Sequence, residues 1–182
     1  MPDFSSLPTK TQENLARISN AVSGVLPTET QKWKIQTQAL SEGGNEPDII
    51  NDVKKWAGKG SAFLYTFTLV SIEPDLPQLT TAFASVKAAE KGNRAYARLN
   101  QPSKCMYVGS SEKIHQRIKE HLGFGAKGTY SLQLAYWAQP FNLEIEIECA
   151  KYQEATPSEA LQSLEDTLWA DLLPMFGRQG AR

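Results

Sequence analysis

The chain has 182 residues, 41% of them hydrophobic, and a formal net charge of −1 at pH 7. This length suits one domain, or one domain with a small appendage, and the balanced charge gives no sign of a uniformly basic nucleic-acid-binding protein. No apolar run is long enough to span a bilayer, and the N-terminus lacks the pattern of a secretory signal. We therefore expect a cytoplasmic protein with no membrane partner. Its two cysteines and two histidines are too few for a common zinc cluster, and both cysteines are expected to be reduced core residues.

The first sixty residues are predicted to be helical. Apolar side chains recur at helical spacing over residues 15–26, and a second helix is predicted over residues 28–40. A third helix is expected to begin at an N-cap, Asp48, and to end at Gly58. We expect residues 1–60 to form a helical N-terminal extension, through which a second copy of the chain or another protein partner would bind.

From residue 61 onward, strand patterns alternate with helix patterns. The clearest strand is FNLEIEIECA, in which apolar residues alternate with three glutamates, so that one face is buried and the other faces water. This order predicts an α+β domain over residues 61–182, with a small three-stranded antiparallel or mixed sheet flanked by helices and a helical insert at about residues 74–103. The strands are predicted over residues 61–72, 105–109 and 141–150, and the helices over residues 79–98, 114–122, 129–137 and 158–173.

The charges are unevenly distributed along the sequence. Between Lys87 and Lys127 there are nine lysines and arginines but only three glutamates, whereas between Phe141 and Met175 there are eight acidic residues and one lysine. The basic block could bind a polyanion. Alternatively, the two blocks form solvated faces that partly neutralise each other.

The helix predicted over residues 114–122 carries two polar groups at the edge of its apolar stripe. Ile114, Ile118 and Leu122 form the stripe, and Arg117 and His121 lie beside it, one turn apart. A buried guanidinium is costly unless an anion meets it. Two interpretations are therefore open. The pair is either an internal ion pair with a core histidine, or it faces an anionic ligand.

The last predicted helix shows the same anomaly with the opposite charge. Glu165 falls inside an apolar stripe, between Leu161 and Trp169. A carboxylate among leucines needs a cation, either a basic side chain or a metal ion. It is therefore either half of a structural Arg–Glu pair or a metal ligand that faces the same cleft as Arg117 and His121.

Taken together, these residues resemble the GIY-YIG nuclease family. The FLY of residues 63–65 is similar to a degenerate first motif, and the YVG of residues 107–109 is similar to the second. Arg117 follows the YVG tyrosine by ten residues and matches the family's arginine. His121 matches a position often occupied by His or Tyr, and Glu165 matches the metal-binding glutamate.

The resemblance implies a divalent-metal-dependent endonuclease that hydrolyses DNA phosphodiester bonds with one ion, Mg²⁺ or Mn²⁺. Glu165 would hold the metal, and Arg117 would stabilise charge on the phosphoryl oxygens. Tyr65 or Tyr107 would position or deprotonate the attacking water, Tyr65 being the favoured base. That role would require a pKa lowered by Arg117 and the metal. His121 would orient a tyrosine or contact the phosphate.

The sequence departs from the family pattern at two motifs within residues 61–180, the part that the resemblance covers. Phe63 stands where the first motif has glycine, and the gap between the two motifs is long. The family's late asparagine is replaced by Gly177 or Gln179, and Gln179 could supply the missing amide.

Duplex DNA is the expected partner. The insert helix is predicted to lie along the DNA backbone, and the glycine of the second motif to let the chain pass close to substrate. The expected DNA contacts are Lys87, Lys91, Arg94, Arg98, Lys113, Lys119 and Gly109.

Two other classes of function stay open at this stage. They are a non-cleaving nucleic-acid-binding module on the same fold and a small-molecule or protein-interaction domain with a structural Arg–Glu pair. Among nucleases, we favour restriction or phage defence over a repair or mobile-element role by analogy only.

Overall fold

The computed structural model describes residues 4–59, 61–71 and 75–180. These residues form an α+β fold in which helices flank an antiparallel sheet, as predicted. The elements in chain order are α1 (Leu7–Val22), β1 (Glu29–Gln36), α2 (Ile49–Ala57), β2 (Ser61–Leu69), α3 (Leu76–Ala88), β3 (Cys105–Ser111), α4 (Ile114–Leu122), β4 (Glu144–Gln153) and α5 (Ser158–Leu172).

The sheet has four strands in the order β1-β4-β2-β3, one more than predicted. The extra strand, β1, arises from the second predicted helix, so that prediction is wrong. On β1, Lys32 pairs with Glu146 at 2.9 Å and with Glu148 at 3.1 Å, and Lys34 pairs with Glu144 at 2.7 Å. The half-buried glutamates of β4 therefore have a complementary neighbour strand, and such cross-strand pairs favour the extended conformation. This interaction joins residues more than a hundred positions apart, which local helical spacing cannot reveal.

The predicted insert is helical only in its first half. Helix α3 ends at Ala88, Glu90 and Asn93 adopt left-handed backbone conformations, and most of the chain from residue 94 to β3 is irregular or extended. Tyr96 is buried and packs edge-on against Phe83 at a ring distance of 5.8 Å. Anchoring this tyrosine in the core draws the chain away from the helical path.

The expected row of basic residues on one insert helix is consequently wrong. Lys87 is the only member of that row on α3. Lys91 donates through Nζ to the carbonyl of Tyr136 at 2.8 Å, and Arg94 donates through Nη1 to the carbonyl of Gly125 at 3.0 Å. These two side chains hold loop backbone in place, and they do not continue a helix face.

The main core covers one face of the sheet and a smaller cluster covers the other. Along β2, Phe63, Tyr65 and Phe67 belong to the main core, whereas Ala62 and Leu64 belong to the second cluster, which includes Leu161 of α5. This alternation follows the two-residue period of a strand. It directs Tyr65 into the core that α4 also enters.

Cys105 and Cys149 are buried and free, as expected.

Two of the elements before residue 60 join the same core. Ile35 of β1 and Val53 of α2 belong to the main core, and α2 packs beside α4. Helix α1 differs, because none of its described side chains is buried. It contacts α5, partly through an ion pair between Arg17 and Glu159.

Among the residues that the structure describes, no helix is both long and apolar enough to cross a membrane.

A truncation series tests the predicted division at residue 60. A chain without residues 1–24 should still fold cooperatively, because α1 buries no side chain. A chain without residues 1–60 should not, because it loses β1 and α2 and exposes the edge of β4. Urea unfolding followed by circular dichroism distinguishes the two variants. If the shorter chain unfolds at the parental midpoint, residues 1–60 are a separate appendage.

Candidate active site

Strands β2 and β3 bring two tyrosines together. Tyr65 lies opposite Gly109 in the register, and the rings of Tyr65 and Tyr107 stack with centroids 6.1 Å apart and planes 12° apart. A Cβ atom on Gly109 would lie 2.6 Å from the Tyr65 hydroxyl oxygen and 2.9 Å from the Tyr107 ring. The glycine is therefore required so that both rings fit. In the structure the rings of Tyr65 and Tyr107 fill the space beside Gly109, whereas the sequence analysis expected the substrate to lie there.

Arg117 on α4 binds both tyrosines through one planar guanidinium. Its Nε donates to the Tyr65 hydroxyl at 3.2 Å, and its Nη2 donates to the Tyr107 hydroxyl at 3.1 Å and to the Tyr130 carbonyl at 2.9 Å. Its Nη1 donates to Glu120 at 2.8 Å. A guanidinium has five N–H groups. One N–H on Nη1 is therefore left without an acceptor among the described residues.

The guanidinium stays charged in this setting. Burial on its own lowers the pKa of Arg117, but Tyr65, Tyr107 and Glu120 outweigh it and raise the pKa above the ordinary value. Glu120 is only 6% exposed and forms the ion pair with Arg117. The internal ion pair considered from the sequence thus exists, with Glu120 as the partner, and it still leaves one donor open.

His121 is fully buried and fixes the Tyr65 hydroxyl. The backbone N–H of Leu132 donates to its Nδ1 at 3.2 Å, so Nδ1 carries no proton, and Nε2 lies 3.1 Å from the Tyr65 hydroxyl oxygen. Burial lowers the pKa of His121 well below 6.5, which keeps the ring neutral. The single ring proton is therefore on Nε2 and is donated to Tyr65. This geometry favours a role in orienting the tyrosine over a direct phosphate contact.

The Tyr65 hydroxyl accepts two hydrogen bonds, from Arg117 and His121, and keeps its own proton for donation. Burial raises the pKa of Tyr65 well above its ordinary value, Tyr107 adds to this effect, and Arg117 opposes it. Arg117 therefore lowers the pKa of Tyr65 but does not outweigh burial, and the base role expected from the sequence would need the metal as well. With a raised pKa, the phenol is protonated at neutral pH.

Glu165 lies close to this cluster on α5. It is half-buried, it accepts a hydrogen bond from the Ser110 hydroxyl, and its charge contributes to the raised pKa of Tyr65. Ser110 directly follows Gly109 on β3. Among the described residues, no group of three His, Cys, Asp or Glu side chains could hold a metal ion. A metal here would have Glu165 as its protein ligand, and a single carboxylate completed by water and phosphate oxygens suits Mg²⁺.

A groove of about 750 Å³ opens beside Arg117 and Glu120. It runs between the turn that joins β3 to α4 and the loop that joins β4 to α5. A ligand in the groove can therefore reach the guanidinium. The lining residues are Ser61, Ala62, Ser111, Glu112, Lys113, Gln116, Arg117, Glu120, Glu154, Thr156, Ser158 and Leu161.

Comparison with known proteins identifies the domain that carries this cluster. Residues 95–172 match the family model of the GIY-YIG catalytic domain. Over this segment the chain is similar to the GIY-YIG superfamily that its sequence motifs resemble. No match is found among curated proteins or among solved structures. Most of the cluster therefore lies in a segment that is similar to the catalytic domain of a nuclease family.

The matched part of the GIY-YIG domain contains four of the five residues singled out from the sequence. Tyr107, Arg117, His121 and Glu165 lie within it, whereas Tyr65 lies outside it on β2. The first-motif tyrosine is nevertheless in hydrogen-bond contact with Arg117 and His121. The structure thus supplies the part of the site that the family model does not reach.

Three other predicted site residues have their own surroundings. The Gln179 amide is exposed and donates to the backbone carbonyl of Asp166 at 3.3 Å. Lys113 is exposed at the start of α4 and lines the groove. Lys119 forms an ion pair with Glu46 from the loop before α2.

Sequence reasoning missed Glu120. Its position three residues after Arg117 is the usual spacing for a helical ion pair, but the helical wheel placed it outside the apolar stripe. The following loop buries it, since a Cβ atom on Gly125 would lie 2.4 Å from Glu120 Cγ and the Ser131 hydroxyl donates to the Glu120 carbonyl. The Tyr130 carbonyl was missed because a backbone acceptor leaves no sequence signal.

The buried neutral His121 predicts a specific pH dependence of stability. Because its folded pKa lies well below the unfolded value of 6.5, acidification protonates it first in the unfolded chain. The free energy of unfolding should therefore fall between about pH 7 and pH 5, by up to roughly 1.4 kcal/mol per pH unit from this group. His121→Gln should remove most of this slope, whereas His115→Gln should remove a smaller part, because the pKa of His115 is also lowered but the residue is only half-buried.

Urea unfolding of the parent and the two variants at three pH values measures the effect. Equal slopes in the parent and in His121→Gln would show that His121 is not held neutral.

Proposed function

We propose that the protein is a divalent-metal-dependent endonuclease that hydrolyses DNA phosphodiester bonds. The observation that carries this proposal is the Arg117 guanidinium, which lines the groove, donates to four acceptors and has one N–H without an acceptor among the described residues. Arg117 donates to the Tyr65 hydroxyl, and the charge of Glu165 acts on Tyr65, so a carboxylate, a phenol and a cation lie in one region. Phosphodiester hydrolysis needs groups of these kinds.

Arg117 would act on the phosphate itself. Its open Nη1–H would donate to a non-bridging phosphoryl oxygen and stabilise the negative charge that develops there. The other N–H groups already have acceptors, so the guanidinium does not need to reorganise when the reaction takes place. Glu120, Tyr107 and the Tyr130 carbonyl keep it in this orientation.

Tyr65 would position the attacking water through its remaining O–H group. If it also accepts the proton of that water, it must first become a phenolate, and the hydrogen bonds from Arg117 Nε and His121 Nε2 would stabilise that form. Glu165, oriented by Ser110, would hold the metal. When bound, Mg²⁺ or Mn²⁺ supplies Lewis-acid chemistry that lowers the pKa of a bound water. Tyr107 would hold Arg117 and contact the water or the phosphate.

A non-cleaving nucleic-acid-binding module is the second candidate. The Gln179 amide, offered as a substitute for the family's late asparagine, already donates to the backbone carbonyl of Asp166, and the pKa of Tyr65 is raised. Both observations fit a domain that binds without cleaving. The ordered Arg117 contacts and the nearby Glu165 favour cleavage.

The biological setting stays a proposal by analogy. We place the nuclease in cytoplasmic restriction or phage defence, because we recognise no separate DNA-binding domain in the part of the chain that the structure describes. A second copy or another protein would bind through α1, whose Leu7 and Leu15 are exposed.

Cleavage of supercoiled plasmid tests the proposed activity. With Mg²⁺ the parent should nick the plasmid, and EDTA should stop the reaction. Glu165→Gln should lose about a hundredfold or more of the rate, the scale expected when an essential charge-stabilising group is lost, and should still bind DNA.

Glu159→Gln on the same helix is the matched control and should cleave like the parent. Cleavage by Glu165→Gln at the parental rate would place the metal elsewhere. A parent that binds DNA and never cleaves it would instead support the binding module.

A further inference from the structure

Three basic side chains from distant parts of the sequence meet next to the active site. Lys87, at the end of α3, donates through Nζ to the carbonyl of Ala97 at 2.8 Å, which places its ammonium beside Arg98. The backbone N–H of Gly177 donates to the carbonyl of Arg98, also at 2.8 Å, which brings Arg178 to the same place. We call Lys87, Arg98 and Arg178 the basic cluster.

The basic cluster has no counter-charge within the described residues. None of the ion pairs formed there involves its three members. Arg98 and Arg178 are exposed, and the pKa of Lys87 is lowered by burial and by the charges of Arg178 and Arg98. Like charges held together reduce the stability of a fold. An arrangement of this kind suits an anion that arrives from outside.

The position of the basic cluster relates it to the tyrosines. Gly177 packs on the Tyr107 ring so closely that a Cβ atom there would lie 3.0 Å from it. Gly177 also has a positive φ of 105°, which favours glycine. Arg178 follows directly. The basic cluster therefore begins one residue after a glycine that packs on Tyr107, and Tyr107 accepts a hydrogen bond from Arg117.

We propose that the basic cluster binds backbone phosphates of the DNA strand that flank the phosphate at Arg117. This inference rests on the proposed function, because it takes DNA as the substrate. Arginine guanidinium groups match phosphate oxygens in a two-point geometry, and Lys87 keeps two N–H groups after its contact with Ala97. A strand with a charge on every nucleotide supplies several anions at once, as three adjacent cations require.

The proposal separates this cluster from the other basic residues of the same segment. Lys91 and Arg94 already donate to backbone carbonyls, and Arg94 also stacks on the Tyr136 ring at 4.7 Å. Within the part of the chain that the structure describes, the members of the basic cluster have no such side-chain partners, apart from the Lys87 contact with Ala97.

Binding measurements on the full chain test the proposal. Fluorescence anisotropy with a labelled DNA duplex, in EDTA to prevent cleavage, gives the affinity at salt concentrations from about 50 to 300 mM. Each lost phosphate contact lowers the salt slope by about 0.9. Lys87→Gln/Arg98→Gln/Arg178→Gln should therefore bind at least about tenfold more weakly and show a slope smaller by about two to three.

Lys10→Gln/Lys54→Gln/Lys55→Gln is the matched control, with the same change in charge at positions on α1 and α2. It should change the slope by less than about one. Equal slopes for the two triple variants would overturn the proposal. A single Arg178→Gln variant, at an exposed position, keeps the test valid if the triple variant does not fold, and it should lower the slope by about 0.9.

Two further outcomes separate the possible sources of the anion and the two proposals. If millimolar inorganic phosphate saturates the basic cluster, raising the melting temperature of the parent but not of the triple variant, the cluster is a small-anion site and the DNA assignment fails. A parent that binds duplex with the expected slope but does not cleave it would overturn the nuclease function and leave the basic cluster standing. A parent that cleaves, with an unaltered slope in the triple variant, would overturn the basic cluster alone.

Discussion

The planar guanidinium of Arg117 joins the elements of the site. Its N–H groups donate to a tyrosine on each of two adjacent strands. They also donate to a carboxylate one turn further along the same helix and to a carbonyl in the loop that follows. A lysine offers no such plane of donors. The arrangement depends on burial, because a desolvated cation forms strong charge-assisted hydrogen bonds and is costly when unpaired. Among the described residues it has four acceptors and one N–H left over, and this remaining N–H makes the group useful for chemistry as well as for stability.

The rest of the site follows from fitting aromatic rings around this cation. Gly109 gives Tyr65 and Tyr107 the space to stack, and Gly177 packs against the outer edge of Tyr107. His121 completes the environment of Tyr65, since a backbone N–H fixes its tautomer and turns Nε2 into a donor. The same burial that orders Tyr65 raises its pKa. The fold thus provides an oriented phenol that needs further positive charge before it can act as a base.

Local patterns in the sequence predicted the elements that carry the site. The features that these patterns missed depend on contacts between residues far apart in the sequence. The stripe of Ile114, Ile118 and Leu122 placed Arg117 and His121 correctly beside the core, because a nine-residue helix with one apolar face has little freedom. Strand β1 was missed because its lysines respond to the glutamates of β4, more than a hundred residues away. The insert was predicted as one long helix because nothing local shows that Tyr96 enters the core. Glu120 was treated as a surface residue because the loop that buries it has no strong periodicity.

The most direct test replaces the planar guanidinium of Arg117 with a group that carries the same charge. Arg117→Lys retains one positive charge at the same position but cannot reach both tyrosines, Glu120 and the phosphate in one plane. Single-turnover cleavage with Mg²⁺ should therefore slow by about a hundredfold or more, while DNA binding and its salt dependence stay near those of the parent. Lys119→Arg on the same helix should cleave like the parent. Cleavage by Arg117→Lys within a few-fold of the parental rate would show that charge alone suffices and that the planar guanidinium is not the centre of the site.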